Sequence, residues 1–286
     1  MPKELTRWIN EHEFPEIYFR IPGLLTLQYL TNRVLYHRTW LIRREIKRSF
    51  RAAGGVLNYL DAGCGAGDFL IPFVRQFRAS QFTGLDCSGT NLKVIRNFVT
   101  CKRWSGVELI ESDLTQFKSG NEFDLILLAS VLHYLPDSRA AIRLLADQLT
   151  EEGTLIIYVP LNYRRIMPGY SWLRDRLLSG VDYENGKPRR VDLTVASIQA
   201  DLAEAGLSAD RMRYLYGPAG QVAYEITSLT ILMIKRVPWI LSVIATIVYF
   251  PVVQPVVSLL QLVDYLSAPR TGNGLILIAR KDRFKK

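Results

Sequence analysis

The chain has 286 residues, of which 49% are hydrophobic, ample material for one large domain with additions. Its 36 Lys and Arg outnumber its 27 Asp and Glu, giving a net charge of +9 that favours an acidic partner, an anionic membrane surface or nucleic acid. Three cysteines without metal-ligand spacing, three scattered histidines and no secretory leader argue against a disulfide framework or a metal site, and for a reducing, cytoplasmic setting.

In chain order, residues 1–53 read as an N-terminal helical extension. Its last helix, Thr39 to Ala53, carries Arg43, Arg44, Lys47, Arg48 and Arg51, while His12 and His37 read as surface or substrate-cover residues. Gly54-Gly55 then leads into an apolar strand ending at Asp61, followed at once by Gly63-Cys64-Gly65-Ala66-Gly67. Helices are expected over Asp68 to Phe77, Thr90 to Thr100, Ser138 to Leu149 and Val195 to Ala205, the last capped by Thr194 and stopped by Gly206. Further strands are expected at Gln81 to Asp86, Val107 to Ile110, Phe123 to Ala129, Gly153 to Pro160, about Asp210 to Tyr216, and Gly274 to Arg280. Asn162 to Arg190 reads as a long loop rich in Tyr, Arg and Gly.

The strand that runs into glycines is how a buried parallel strand turns into a helix beneath a bound nucleotide. A dinucleotide fingerprint would place its third glycine at position 68, where this chain has Asp68, a carboxylate where a pyrophosphate would lie. Glycines at 63, 65 and 67 with Asp61 before them suit a nucleoside carrying an amino group and a cationic centre. Asp86 and Asp113 end the next two strands, and Asp124, at the start of its strand, reads as structural.

These blocks, in this order and spacing, resemble the class I S-adenosylmethionine (SAM) methyltransferases. The resemblance implies an α/β fold: a doubly wound, seven-stranded, mostly parallel sheet with its last strand antiparallel and helices on both faces. It also implies SAM as cofactor, with Asp61, Gly63, Cys64, Gly65, Asp86, Cys87, Asp113, Leu114 and Ala129 around it. Asp86 would accept from the ribose hydroxyls and Asp113 would face the adenine edge. Cys64 and Cys87 read as small packing residues lining the cofactor pocket. His133, just past the fourth strand, is the candidate general base, with Tyr134 beside it and Tyr158 and Tyr163 as weaker candidates.

One stretch departs from this pattern. Between Arg236 and Asp264 no residue is charged, and Val237 to Val263 is apolar enough to cross a bilayer. A single crossing would strand the final β-segment on the far side, so the segment must return. Pro251 and Pro255 suggest two short apolar helices forming a hairpin, preceded by an apolar helix over Gln221 to Met233. The domain therefore reads as 54–286 with an apolar insertion at about 219–264, serving as a peripheral (monotopic) membrane contact, a pocket lid, a dimer contact or a helical cover buried on the core. Lys235-Arg236 beside it and the basic cluster at 43–51 suit an anionic membrane surface.

The acceptor pocket in such a fold would draw on Trp8 to Arg38, Asn162 to Arg190 and Gln221 to Leu262, whose aromatic and aliphatic composition suits an amphipathic small molecule. Methyl transfer to exocyclic base nitrogens is disfavoured, because Ala129-Ser130-Val131-Leu132 replaces the Asn/Asp-Pro-Pro-aromatic block of those enzymes. The alternatives are a nicotinamide-dependent oxidoreductase and a non-catalytic, membrane-associated protein of the same fold.

Overall fold

The computed structural model describes residues 17–161, 165–178 and 193–282. Helices α1 (Ile17–Arg20), α2 (Gly23–Leu35) and α3 (His37–Ala52) precede strand β1 (Asn58–Ala62). The chain continues through α4 (Ile71–Gln76), β2 (Gln81–Asp86), α5 (Gly89–Cys101), β3 (Val107–Glu111) and β4 (Phe123–Ala129). It then forms α6 (Ser138–Asp147), β5 (Leu149–Pro160), α7 (Tyr170–Leu178), α8 (Val195–Glu204) and β6 (Leu207–Leu215). Two long helices, α9 (Pro218–Arg236) and α10 (Trp239–Ser267), precede β7 (Gly274–Lys281). His12 and Tyr163, and most of the 162–190 loop, lie outside the described residues.

All seven strands join one sheet in the order β3-β2-β1-β4-β5-β7-β6, with β7 antiparallel to both its neighbours. The order reverses between β1 and β4, the switch point at which open α/β sheets bind ligands. Near-continuous apolar runs, such as Leu125 to Leu128 at 0% exposure, fit strands covered on both faces. One core layer packs α2, α3, α4 and α5 on the sheet and stacks Phe50 against Phe77 at 4.3 Å. The other joins α6 and α8 to the opposite face. Thr194 caps α8 through a reciprocal pair with Ser197, and Gly206 beyond its end takes φ of +73°. Asp124, at the start of the central strand β4 and away from the strand ends at the switch point, accepts from the Asn58 amide at 2.9 Å and the Thr150 hydroxyl at 3.3 Å.

The apolar insertion differs from expectation. Pro251 and Pro255 do not turn the chain; both lie inside a continuous 29-residue helix, α10. The reversal falls at Val237-Pro238, where Val237 is extended, as a residue before proline prefers, and Pro238 caps the start of α10. The hairpin is therefore α9 against α10. Its partner helix, expected from Gln221 to Met233, runs longer, from Pro218 to Arg236.

His37 also differs. It is fully buried, not a surface residue: its Nε2 lies 3.1 Å from Asp264 Oδ2, and Tyr216 packs edge-on at 4.4 Å. Asp264 accepts in addition from the Tyr216 and Gly220 amides, at 3.0 and 3.1 Å. One buried carboxylate thus ties α3, the start of α9 and α10 to the sheet. Gln254 and Gln261 of α10 add bonds to the Val34 and Leu35 carbonyls at the end of α2.

Candidate functional site

The glycine loop is anchored from below. Amides of Gly63 and Cys64 both donate to the Leu85 carbonyl, at 2.7 and 2.9 Å. Asp86 completes the anchor, with Oδ2 accepting from the Gly65 amide at 2.7 Å and Oδ1 from the Ser88 amide at 2.9 Å. Gly63 takes φ of +82°, and a Cβ there would sit 2.2 Å from Val131, so Val131, two residues past β4, can pack only against glycine. Gly65 takes φ of +52°, and a Cβ there would meet nothing within 4 Å. Space is open above the loop at Gly65.

Three carboxylates surround that loop. Asp61 is 1% exposed and its Oδ2 has no hydrogen-bond partner. Burial, then the neighbouring Asp86 and Asp68, push its carboxyl well above the ordinary range. Asp86 is raised by burial against the pull of the Ser88, Gly65 and Cys87 amides. Asp68, also raised by burial, is held by Asn32, whose Nδ2 donates to both its oxygens at 3.1 and 2.9 Å. An orphaned buried acceptor beside an open glycine cradle fits a ligand that brings donors and positive charge, as the amino group and sulfonium of SAM would.

The remaining candidates are divided. Asp113 follows β3, beside the end of β2, where the Ser112 amide donates to the Asp86 carbonyl at 3.1 Å. Its Oδ1 accepts from both the amide and the hydroxyl of Thr115, capping a short turn. Leu114 is buried in the core layer with α6, and Ala129 ends β4 half-buried, opposite Tyr158. Cys64 packs beneath the loop against Gly84, its thiol raised by burial. Cys87 is exposed beyond Asp86, its thiol pushed up to about 11 by desolvation and the Asp86 charge. His133 is buried in the turn after β4, its ring 3.9 Å from that of the half-buried Tyr134.

The N-terminal helices supply groups that sequence reasoning did not single out. Tyr29 donates its hydroxyl to the Ala66 carbonyl at 2.7 Å, and with Asn32 it sets α2 over the loop. Arg38 reaches across β4 and β5. It donates to the Ser130 hydroxyl at 3.3 Å and lies over the rings of Tyr36 and Tyr158 at 5.3 and 5.5 Å. Burial works to lower its pKa, but Tyr158, Tyr216 and Tyr36 outweigh it and hold the guanidinium charged. Among the described residues no carboxylate forms an ion pair with Arg38. Ser130 itself takes φ of +60°, a strained value for a residue other than glycine. No pattern in the sequence marks these residues, because their meaning comes from helices folding back over the sheet.

Residues 55–166 match a family model described as a methyltransferase domain. A trans-aconitate 2-methyltransferase of Enterobacter sp. (strain 638) is 30% identical over 168 residues, 58% of this chain and 62% of that protein. The chain thus spans less than two thirds of that relative's length. A solved coclaurine N-methyltransferase bound to N-methylheliamine and SAH aligns over 83% of this chain and 70% of its own, with 13% identity and a TM-score of 0.55. A [4+2]-cyclase, SpnF, aligns over 84% of this chain and 80% of its own, with 18% identity and a TM-score of 0.54. These two likenesses concern the fold, which carries more than one chemistry.

Proposed function

We propose that this chain is a class I SAM-dependent methyltransferase, as its match to a methyltransferase domain supports, and that it transfers a methyl group to an O, N or C nucleophile of an amphipathic small molecule that carries an acidic group, at a membrane surface. The observation that carries the donor assignment is the orphaned Asp61 oxygen beside the open cradle at Gly65, ringed by Asp86 and Asp68. Bound there, SAM supplies an electrophilic methyl on a cationic sulfur.

The chain's own residues do the rest. The carboxylates give the cradle a negative field that holds a cationic donor in place. Arg38 stands on the β4–β5 side of the loop and anchors an acidic group of the acceptor, orienting the nucleophile towards the donor. The similarity to a trans-aconitate 2-methyltransferase, named for an acidic acceptor, supports this choice. For a hydroxyl or amine acceptor, His133 takes the proton released in the transfer. A dinucleotide fits poorly, because half-buried Asp68, fixed by Asn32, stands at the position of the third glycine of a dinucleotide fingerprint and would repel a pyrophosphate there.

The membrane part of the proposal rests on α10. Ile240–Ser267 is long and apolar enough to cross a bilayer, and only 17% of its most apolar window is buried. Ile240, Leu241, Val243, Ile244, Ile247 and Val248 are all at least half exposed and fan out over roughly half the circumference of the helix, opposite the side on which Tyr249 and Val257 are buried. A narrow apolar stripe would suit a protein partner; a broad apolar face without a charged residue between Arg236 and Asp264 suits lipid.

The test is incubation with methyl-labelled SAM and separated aqueous, lipid and macromolecular fractions of a cell extract. Label is expected in an acidic, solvent-extractable small molecule. Label confined to protein or nucleic acid, or no transfer at all, overturns the proposal.

A further inference from the structure

A second concave site lies on the outer side of α2, away from the acceptor corner. It encloses a cavity of about 630 Å³ between α2, α3, α4 and α5. Five cations line it: Arg33, Arg43, Arg75, Arg78 and Lys102. No Asp or Glu does so, and among the described residues none of the five forms an ion pair. Holding so many like charges together without counterions is costly, and proteins do so where an anion completes the site. Arg43 registers the cost. Burial, then the charge of Arg33, pull its pKa down, with only Asp68 opposing.

We propose that this groove receives the phosphate of anionic phospholipid headgroups. Its charge is complementary to that group, and its rim continues into apolar surface. Leu30, 55% exposed, lines the groove; with Leu27 and Val34, also exposed, it forms an i, i+3, i+7 stripe along α2. The far end of that helix is bonded to α10. Cationic groove, greasy stripe and apolar hairpin therefore share one helix as their backbone, the arrangement that an acidic lipid surface matches with headgroup and acyl chain together. A nucleic-acid strand would ask for free aromatic faces. Here Phe98 is buried and Trp104 lies edge-on to it at 5.7 Å. The groove shares with the proposed function only the premise that the hairpin meets lipid, and is independent of methyl transfer.

The experiment compares flotation of the full chain with phosphatidylcholine vesicles, with and without phosphatidylglycerol. The variants are R75E/R78E in the groove and R143E/K118E, an equal charge change on exposed residues flanking the opposite core layer. The parent should prefer the anionic vesicles. R75E/R78E should lower that preference about tenfold or more, and R143E/K118E should leave most of it. SAM-induced thermal stabilisation should be the same in the parent and both double variants, which establishes that the variants are folded. Equal losses in both pairs would mean diffuse attraction to net charge, and no anionic preference would mean no headgroup site; either overturns the proposal. Thermal stabilisation by inorganic phosphate alone, equal to that by anionic vesicles and lost in R75E/R78E, would assign the groove to a soluble phosphate and also overturn it. Failure of the parent to float with neutral vesicles sinks the hairpin reading separately, since the groove is read only from the anionic increment.

Discussion

Asp61 holds a carboxyl in a place that penalises its charge, and this has a sign that can be worked out. Its pKa is raised on folding, so the stability it contributes is complete below the unfolded value near 3.8 and is lost as pH rises through the folded value. Asp61→Asn should therefore raise the melting temperature at mildly alkaline pH relative to the parent, with the difference closing in acid, while weakening SAM binding. A parent whose SAM affinity rises with pH as Asp61 ionises, and an Asn variant lacking that rise, would show the carboxylate to be the donor's counter-charge. At Gly65, Val would fill the open space and be forced to φ of +52°, at a strain of about 1–3 kcal/mol. Gly65→Val is expected to retain its far-UV spectrum and to give no calorimetric SAM signal. For Arg38, Leu should raise KM for an acidic acceptor by roughly tenfold to a hundredfold, the worth of a charge-assisted hydrogen bond, with SAM affinity unchanged. Lys at that position should recover part of the loss, and a fall in SAM affinity instead would move Arg38 to the donor's own carboxylate.

At the scale of elements, the parts readable from sequence were those with a local cause. The strand ends at Asp61 and Asp86, the glycine loop and the Thr194 cap each follow from residues within a few positions of one another. The hairpin was harder because proline acts differently by position. Pro238 starts a helix, where its missing amide costs nothing, whereas Pro251 and Pro255 lie four apart inside an apolar helix that packs against α9 and continues through them. Flotation tests what the helix is for. Ile244→Asp with Ile247→Asp should abolish association with neutral vesicles, since each Ile contributes on the order of 2 kcal/mol of transfer. A double variant that floats like the parent would leave the hairpin as a contact with another surface.

For the whole molecule, the excess of basic residues is not spread evenly over a solvated face. Arg33, Arg43, Arg75, Arg78 and Lys102 converge although they are distant in the sequence and come from α2, α3, α4 and the turns that follow α4 and α5, so no run of charge announced their groove. Within the basic helix from which a membrane-facing cluster was expected, only Arg43 lines the groove. Arg44 instead reaches Glu45 and the hydroxyl of Tyr265. The helical cover of the site was hidden for the same reason: Tyr29 and Asn32 reach the glycine loop, and Arg38 reaches Ser130, only when α2 and α3 fold across the sheet.

β7 is wedged between β5 and β6, yet α9 and α10 must be synthesised before it. Until that strand arrives, the sheet presents two open borders while the most water-averse helices of the chain are already made, a combination prone to clumping. Nascent chains that touch a lipid surface as the helical pair emerges would be shielded during this delay. Yield of active protein in cell-free synthesis should therefore climb when vesicles are present from the start and not when they are added afterwards.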